Sequence, residues 1–165
     1  MWLLIAVSVN IKDPGKGDRV ALIQRMKGYN NAYVSIGVHE DAGSYTEGSN
    51  PPSVVEVALW MEFGTIKTPE RSFLRSAINE NGTLIDKWIN EANKKIIFEN
   101  WDVRKALSYI GMNVQELVKN KIKSNVPPPL ADSTVKAKQA KGVAPVTLID
   151  STLLLRSISY RVTLD

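Results

Sequence analysis

Residues able to do chemistry are few in this chain. Among its 165 residues there is no cysteine and a single histidine, His39. The missing cysteines exclude a disulfide framework, a zinc ribbon, an iron–sulfur site and a thiol nucleophile. One histidine excludes a two-histidine metal site, and a histidine triad would rest on His39 alone. His39-Glu40-Asp41 is the one metal-like cluster. Adjacent residues at a strand end point different ways, so one ion cannot take all three. There is no Walker loop, no G-x-G-x-x-G and no G-x-S-x-G elbow, and Gly15-Lys16-Gly17 lacks the flanks of a phosphate loop. Glu56 and Glu62 are six residues apart and do not share a helix face, which makes them a poor acid/base pair. The expectation is a non-enzyme with no catalytic residue, metal or cofactor. A hydrolase built on Asp and Glu is the weakest reading.

Charge offers a second kind of chemistry, binding. The net charge of +4 is unevenly placed: residues 103–141 carry eight basic and two acidic residues, +6, and the remainder sums to −2. Lys119, Lys121 and Lys123 splay around a helix, as do Lys136, Lys138 and Lys141. These six are candidates to face DNA or an acidic partner. No aromatic residues interleave them to stack bases, and no helix-turn-helix spacing is present. A nucleic-acid-binding module using region 103–141 is therefore the alternative reading, beside that of a solvated helix face.

The elements that must position these residues read as follows. Trp2–Val9 is too short to span a bilayer and lacks the flanks of a signal peptide, so it reads as a buried first strand. The cysteine-free composition fits a reducing cytoplasm. After a turn at residues 10–17, Asp18 caps a helix to Lys27 with Val20, Ile23 and Met26 inward and Leu22 widening the stripe. Tyr33–Val38 alternates as a strand, with Gly37 marking a bulge or close approach. Residues 40–52 form a long loop or arm. Ser53-Val-Val-Glu56 is a capping box opening a helix that Gly64 ends, with Val54, Val57, Ala58, Met61 and Trp60 as its apolar face.

Three further helices follow over residues 71–81, 83–98 and 102–124. Leu84, Trp88, Ile89 and Ile96 point inward in the second, where Thr83 caps. In the third, Asp102 caps the stripe Val103, Leu107, Ile110, Val114, Leu117, Val118 and Ile122. Gly111 there costs about 1 kcal/mol against Ala, so close packing is expected. Residues 126–132 are a proline-rich break before a weak basic helix. A helical turn capped by Asp150 then runs into a last strand, 158–164. The expected fold is a single α+β domain over 1–165. Its small, mostly antiparallel sheet brings the first and C-terminal strands together, packed with five or six helices.

Three stretches carry a resemblance. Residues 60–81 read W-M-E-F-G-T-I-K-T-P-E-R-S-F-L-R-S-A-I-N-E-N. Later come P-P-P-L-A-D-S-T from Pro127 and T-L-I-D-S-T-L-L-L-R-S-I from Thr147. In order, they resemble the tail-completion, or head–tail joining, proteins of tailed bacteriophages, over about residues 54–165. That family shows E-x-G-T, then P-x-R-x-F-L-R-x-A, later P-L-A-x-S-T, and L-I-D-T-G-x-L-x-x-S-I near the end. Glu62, Gly64, Thr65, Pro69, Arg71, Phe73, Leu74, Arg75 and Ala77 match the first part. Pro129, Leu130, Ala131, Ser133 and Thr134 match the second; Leu148, Ile149, Asp150, Leu154, Ser157 and Ile158 match the third. Thr152 stands where the family has Gly, so a helix start rather than a positive-φ bend is expected there. Asn79 stands where Asp is common.

The resemblance implies a structural virion protein of the neck, made in the host cytoplasm. It would form a ring of six copies, twelve being the alternative, that completes the tail and joins it to the head connector, with DNA passing through. Its partners would be itself, the head connector, and the tail-tube or tail-terminator proteins, with non-specific DNA contact in the channel and no membrane. Phe63, Arg71, Phe73, Leu74, Arg75, Asp150, Leu153, Leu154 and Leu155 are the candidate subunit-interface residues. Arg71 and Arg75, four apart on a helix, would hold a neighbour's carboxylate or an intrachain one.

Overall fold

The structure, a computed structural model, describes residues 2–5, 20–23, 31–46, 49–148 and 152–164. The elements run β1 (Trp2–Ile5), a helical stretch α1 (20–23), β2 (Tyr33–Val38), a 3-10 turn (Glu40–Ala42) and α2 (Val54–Phe63). Then come α3 (Leu74–Glu80), α4 (Gly82–Phe98), α5 (Val103–Lys123), α6 (Asp132–Ala140), α7 (Leu153–Ser157) and β3 (Ile158–Thr163). This is the expected α+β class. The sheet order is β1-β2-β3, so the first and last strands share the sheet without pairing; β2 lies between them. As the central strand, β2 is buried from Val34 to Val38 on both faces instead of alternating. Ser35 donates to the Arg161 carbonyl (3.5 Å) and His39 Nδ1 meets Ser159 Oγ (2.9 Å), a register that runs β3 antiparallel to β2.

The chain divides into two compact units, and β1, β2, α5 and β3 contribute residues to both. The first contains residues 37–80 and 115–159. Its core joins Val54 and Ala58 of α2, Phe73 just before α3, Leu74 and Ala77 of α3, Val118 and Ile122 of α5, and Leu154 of α7. Each of the Val, Ile, Leu and Phe side chains among them contributes about 1.5–3 kcal/mol by leaving water, the alanines less. The loop at 40–52 is tied at its base: Tyr45 N–H donates to Pro52 O and Val54 N–H to Gly43 O, both 3.0 Å, beside an antiparallel Ser44–Ser53 bridge. Its described residues thus fold back on themselves instead of extending as an arm.

The second unit contains residues 81–114 with strand segments 33–36 and 160–163. Ile85, Ala92 and Ile96 of α4 are buried, as are Ala106, Leu107, Ile110 and Val114 of α5. Leu84, expected inward, is 37% exposed and Ile85 takes its place, while Ile96 is buried and Trp88 and Ile89 half-buried on the expected side. Asp102 caps α5 as expected, its Oδ1 accepting from Lys105 N–H at 2.6 Å. Thr83 caps nothing; α4 begins one residue earlier, at Gly82. Gly111 is where the helix is closely approached. A Cβ there would lie 2.6 Å from a Tyr160 ring carbon and 2.8 Å from a Val34 methyl. In α1, Leu22 is the buried residue, while Val20 and Ile23 are more than half exposed. The Asp18 cap, Met26 and Asp150 lie outside the described residues.

Candidate assembly site

The first motif is a folded device centred on Glu62. This residue is the last but one of α2, with its side chain fully buried. Its carboxylate accepts five hydrogen bonds. Oε2 takes the backbone N–H of Phe73 and of Leu74, each at 2.9 Å. Oε1 takes Ser72 Oγ–H (2.7 Å), Arg75 N–H (3.0 Å) and Arg75 Nε–H (3.0 Å). Three of the amides that a helix leaves orphaned in its first turn are thus satisfied by a carboxylate from the preceding helix. The hydrogen bond that Arg75 donates to Glu62 is the main cause holding its guanidinium pKa above the ordinary value, with Coulombic help from Glu62 and Glu70.

The residues between the two helices make this geometry reachable. Gly64 adopts φ 74°, ψ 172°, a region essentially reserved for glycine. A Cβ there would stand 2.9 Å from the backbone nitrogen of Glu70. Thr65 folds the tip, its Oγ1 accepting from the N–H groups of Lys67 (3.2 Å) and Thr68 (2.9 Å). Arg71 N–H then donates to Met61 O at 2.7 Å, bringing the chain back alongside α2.

Arg71 and Arg75 do not share a helix face, since α3 begins only at Leu74. Arg71 is buried, and its Nε–H and Nη2–H donate to the carbonyls of Pro128 (2.9 Å) and Pro129 (3.2 Å). The first motif is thereby locked to the proline-rich break, where the Pro127–Pro128 peptide is cis. Arg75 spans Glu62 and Glu70, with Nη2 2.6 Å from Glu70 Oε1, and lies 4.8 Å over the Phe63 ring. Both arginines therefore act within the chain. Phe73, Leu74 and Leu154, named as interface candidates, are core residues here, 0–3% exposed. They reach a neighbour only through the elements they anchor. Leu153 and Leu155 are half-buried against the same core. Phe63 alone of the described candidates presents a largely open apolar group, at 53% exposure.

All three motif segments meet around one cleft of about 890 Å³ in the first unit. Pro69 and Arg71 come from the first segment, Pro129, Leu130, Ala131 and Thr134 from the second, and Leu148, Thr152 and Leu154 from the third. Val57 and Met61 of α2 and Tyr45 of the long loop complete an apolar lining, with Lys67 and Lys141 also at the cleft. Thr152, expected to start a helix directly, sits at φ 61°, ψ −3° with no side-chain cap. The left-handed bend exists, and a β-branched residue occupies it at a cost.

The basic candidates are not brought together as one face. Lys138 is buried and donates to Val146 O at 3.0 Å, Lys121 is paired with Glu80 at 2.7 Å, and Lys123 lies 3.8 Å from Glu116. Lys136 and Lys141 are exposed and Lys119 is half-buried. Among the described residues no group of three or more His, Asp or Glu side chains is placed to hold a metal ion, and no helix is long and apolar enough to cross a membrane. His39 is buried at the end of β2 instead of lying open at a loop edge.

Sequence reasoning placed Glu62 in the first motif but missed its role, because its partners lie 10 to 13 residues ahead. The available signal was a glutamate two residues before a helix-ending glycine, followed by a Pro-x-Arg-Ser stretch that opens a new helix. No family model, curated relative or solved structure matches the chain.

Proposed function

We propose that this chain is a structural protein of the tailed-bacteriophage neck, assembling into a ring between head connector and tail. The observation that carries the reading is the convergence of the three motif segments. Separate in sequence, they line one cleft, and the first two bond to each other through Arg71 and the Pro128 and Pro129 carbonyls. The positive φ of Thr152, at the position where the motif has glycine, is a second support. The chemistry is geometric: buried polar groups serve to hold backbone segments in place, and no reactive group is needed.

The nucleic-acid reading has less behind it, because two of the six candidate lysines are engaged closely within the chain. Size exclusion with light scattering, followed by negative-stain imaging, tests the ring reading. Rings or stacked tubes, six-fold first, are the expected result. A stable monomer that shifts DNA, with affinity falling steeply as salt rises, overturns it in favour of the nucleic-acid module.

A further inference from the structure

Helix α2 is apolar on every side. Val54, Ala58 and Glu62 face the core, and Val57 and Met61 line the cleft. Its third side is largely open among the described residues: Leu59, Trp60 and Phe63 are 37%, 43% and 53% exposed, with the Arg75 guanidinium 4.8 Å over the Phe63 ring. A helix with apolar residues all round is normally enclosed on all sides, and a contiguous apolar patch marks an interaction surface. Two charges border this outer side: Arg75, ion-paired with Glu62 and Glu70, and Glu56, exposed one turn before Trp60 and without an ion pair among the described residues. The cleft carries the opposite sign. Lys67 and Lys141 lie at it, both exposed and neither ion-paired among the described residues.

We propose that copies of this chain assemble head to tail through α2: Leu59, Trp60 and Phe63 of one copy seat in the cleft of the next, and Glu56 meets Lys67 and Lys141 there. The proposal rests on the ring reading and assigns its interface. Electrostatics selects this arrangement. A two-fold pairing of the outer faces sets Glu56 against Glu56, and a pairing of clefts sets lysine against lysine, whereas patch in cleft joins opposite charges. A contact between two different surfaces repeats around a ring when its rotation closes.

The cysteine-free chain gives a clean cross-linking test. Leu59→Cys, at the margin of the patch, and Ala137→Cys, at the cleft, are prepared separately, one carrying a tag. They are mixed at assembling concentration and treated with a short bismaleimide. The expected product is the cross-link between the two variants, at least tenfold over either self cross-link. Trp60→Glu should abolish it with unchanged circular dichroism. Lys141→Glu, a change at an exposed side chain, should weaken assembly tenfold or more if the fold of the Trp60 variant is in doubt. Self cross-links of Leu59→Cys alone overturn the proposal in favour of a two-fold face. Assemblies lacking both cross-links overturn it while leaving the ring reading standing. A chain that stays monomeric throughout overturns both.

Discussion

Helices α2 and α3 begin only twenty residues apart and are started by opposite means. At α2 the device is local. Ser53 Oγ accepts from Glu56 N–H at 3.2 Å, and the Glu56 carboxylate accepts from Ser53 N–H at 2.8 Å, on an exposed edge. At α3 it is distant and dry: Glu62 reaches across a loop and is sealed from solvent with five donors around it. A solvated cap competes with water for each bond, so losing it costs little. A buried carboxylate has no water to fall back on, and its removal strands several donors at once. The difference marks where this chain commits stability to geometry, namely at the joint between the first motif and the cleft.

Removing Glu62 should have the largest effect. Glu62→Ala leaves the Phe73, Leu74 and Arg75 amides and the Ser72 hydroxyl without their acceptor, and should lower stability by about 3–5 kcal/mol. Chemical denaturation measures this, and Glu62→Gln should recover only part of the loss. Next is the loop that lets Glu62 reach. Gly64→Ala combines a forbidden φ with a 2.9 Å backbone clash and should cost about 3 kcal/mol. An equal and small cost for Glu62→Ala and for Ser53→Ala would break the comparison.

A third helix start reverses the sign. At α7 the left-handed Thr152 has no side-chain cap, so Thr152→Gly should raise stability by about 1 kcal/mol, read as a higher Tm. The smallest effects belong to the exposed box, where Ser53→Ala should cost about 1 kcal/mol. The Ser53 backbone N–H, then its hydroxyl, holds the Glu56 carboxyl below its ordinary value. Its contribution is therefore full above the ordinary carboxylate range and fades as pH falls through the lowered value. An acid titration of stability should accordingly show a shallower loss in Ser53→Ala than in the parent chain.

The same contrast explains what was legible in the sequence. Local and periodic features survive translation into structure. Tyr33–Val38, the Ser53 box, the Asp102 cap and the α5 positions Leu107, Ile110, Val114, Val118 and Ile122 all stand where their spacing put them. Features decided by tertiary contact do not. Phe73, Leu74 and Leu154 resemble interface residues only because their motif is distinctive; packing makes them core. Trp60 reads as inward on a helix that is apolar all round, and only the neighbouring elements decide which sides are covered. Sheet order is likewise non-local: both terminal strands belong to the sheet, and β2 lies between them. The three segments were each visible as strings. That they surround a single cleft depended on Arg71 reaching the carbonyls of Pro128 and Pro129, 57 and 58 residues away.

The Glu62 carboxylate also provides a clock. First-turn amides of a helix ordinarily trade their hydrogens with solvent almost as fast as an unfolded chain. Those of Phe73, Leu74 and Arg75 are held by a buried acceptor, so they exchange only when the joint between α2 and α3 opens. Three consecutive backbone sites thereby time the opening of the first motif, and any partner that docks on α2 will slow them together without touching them.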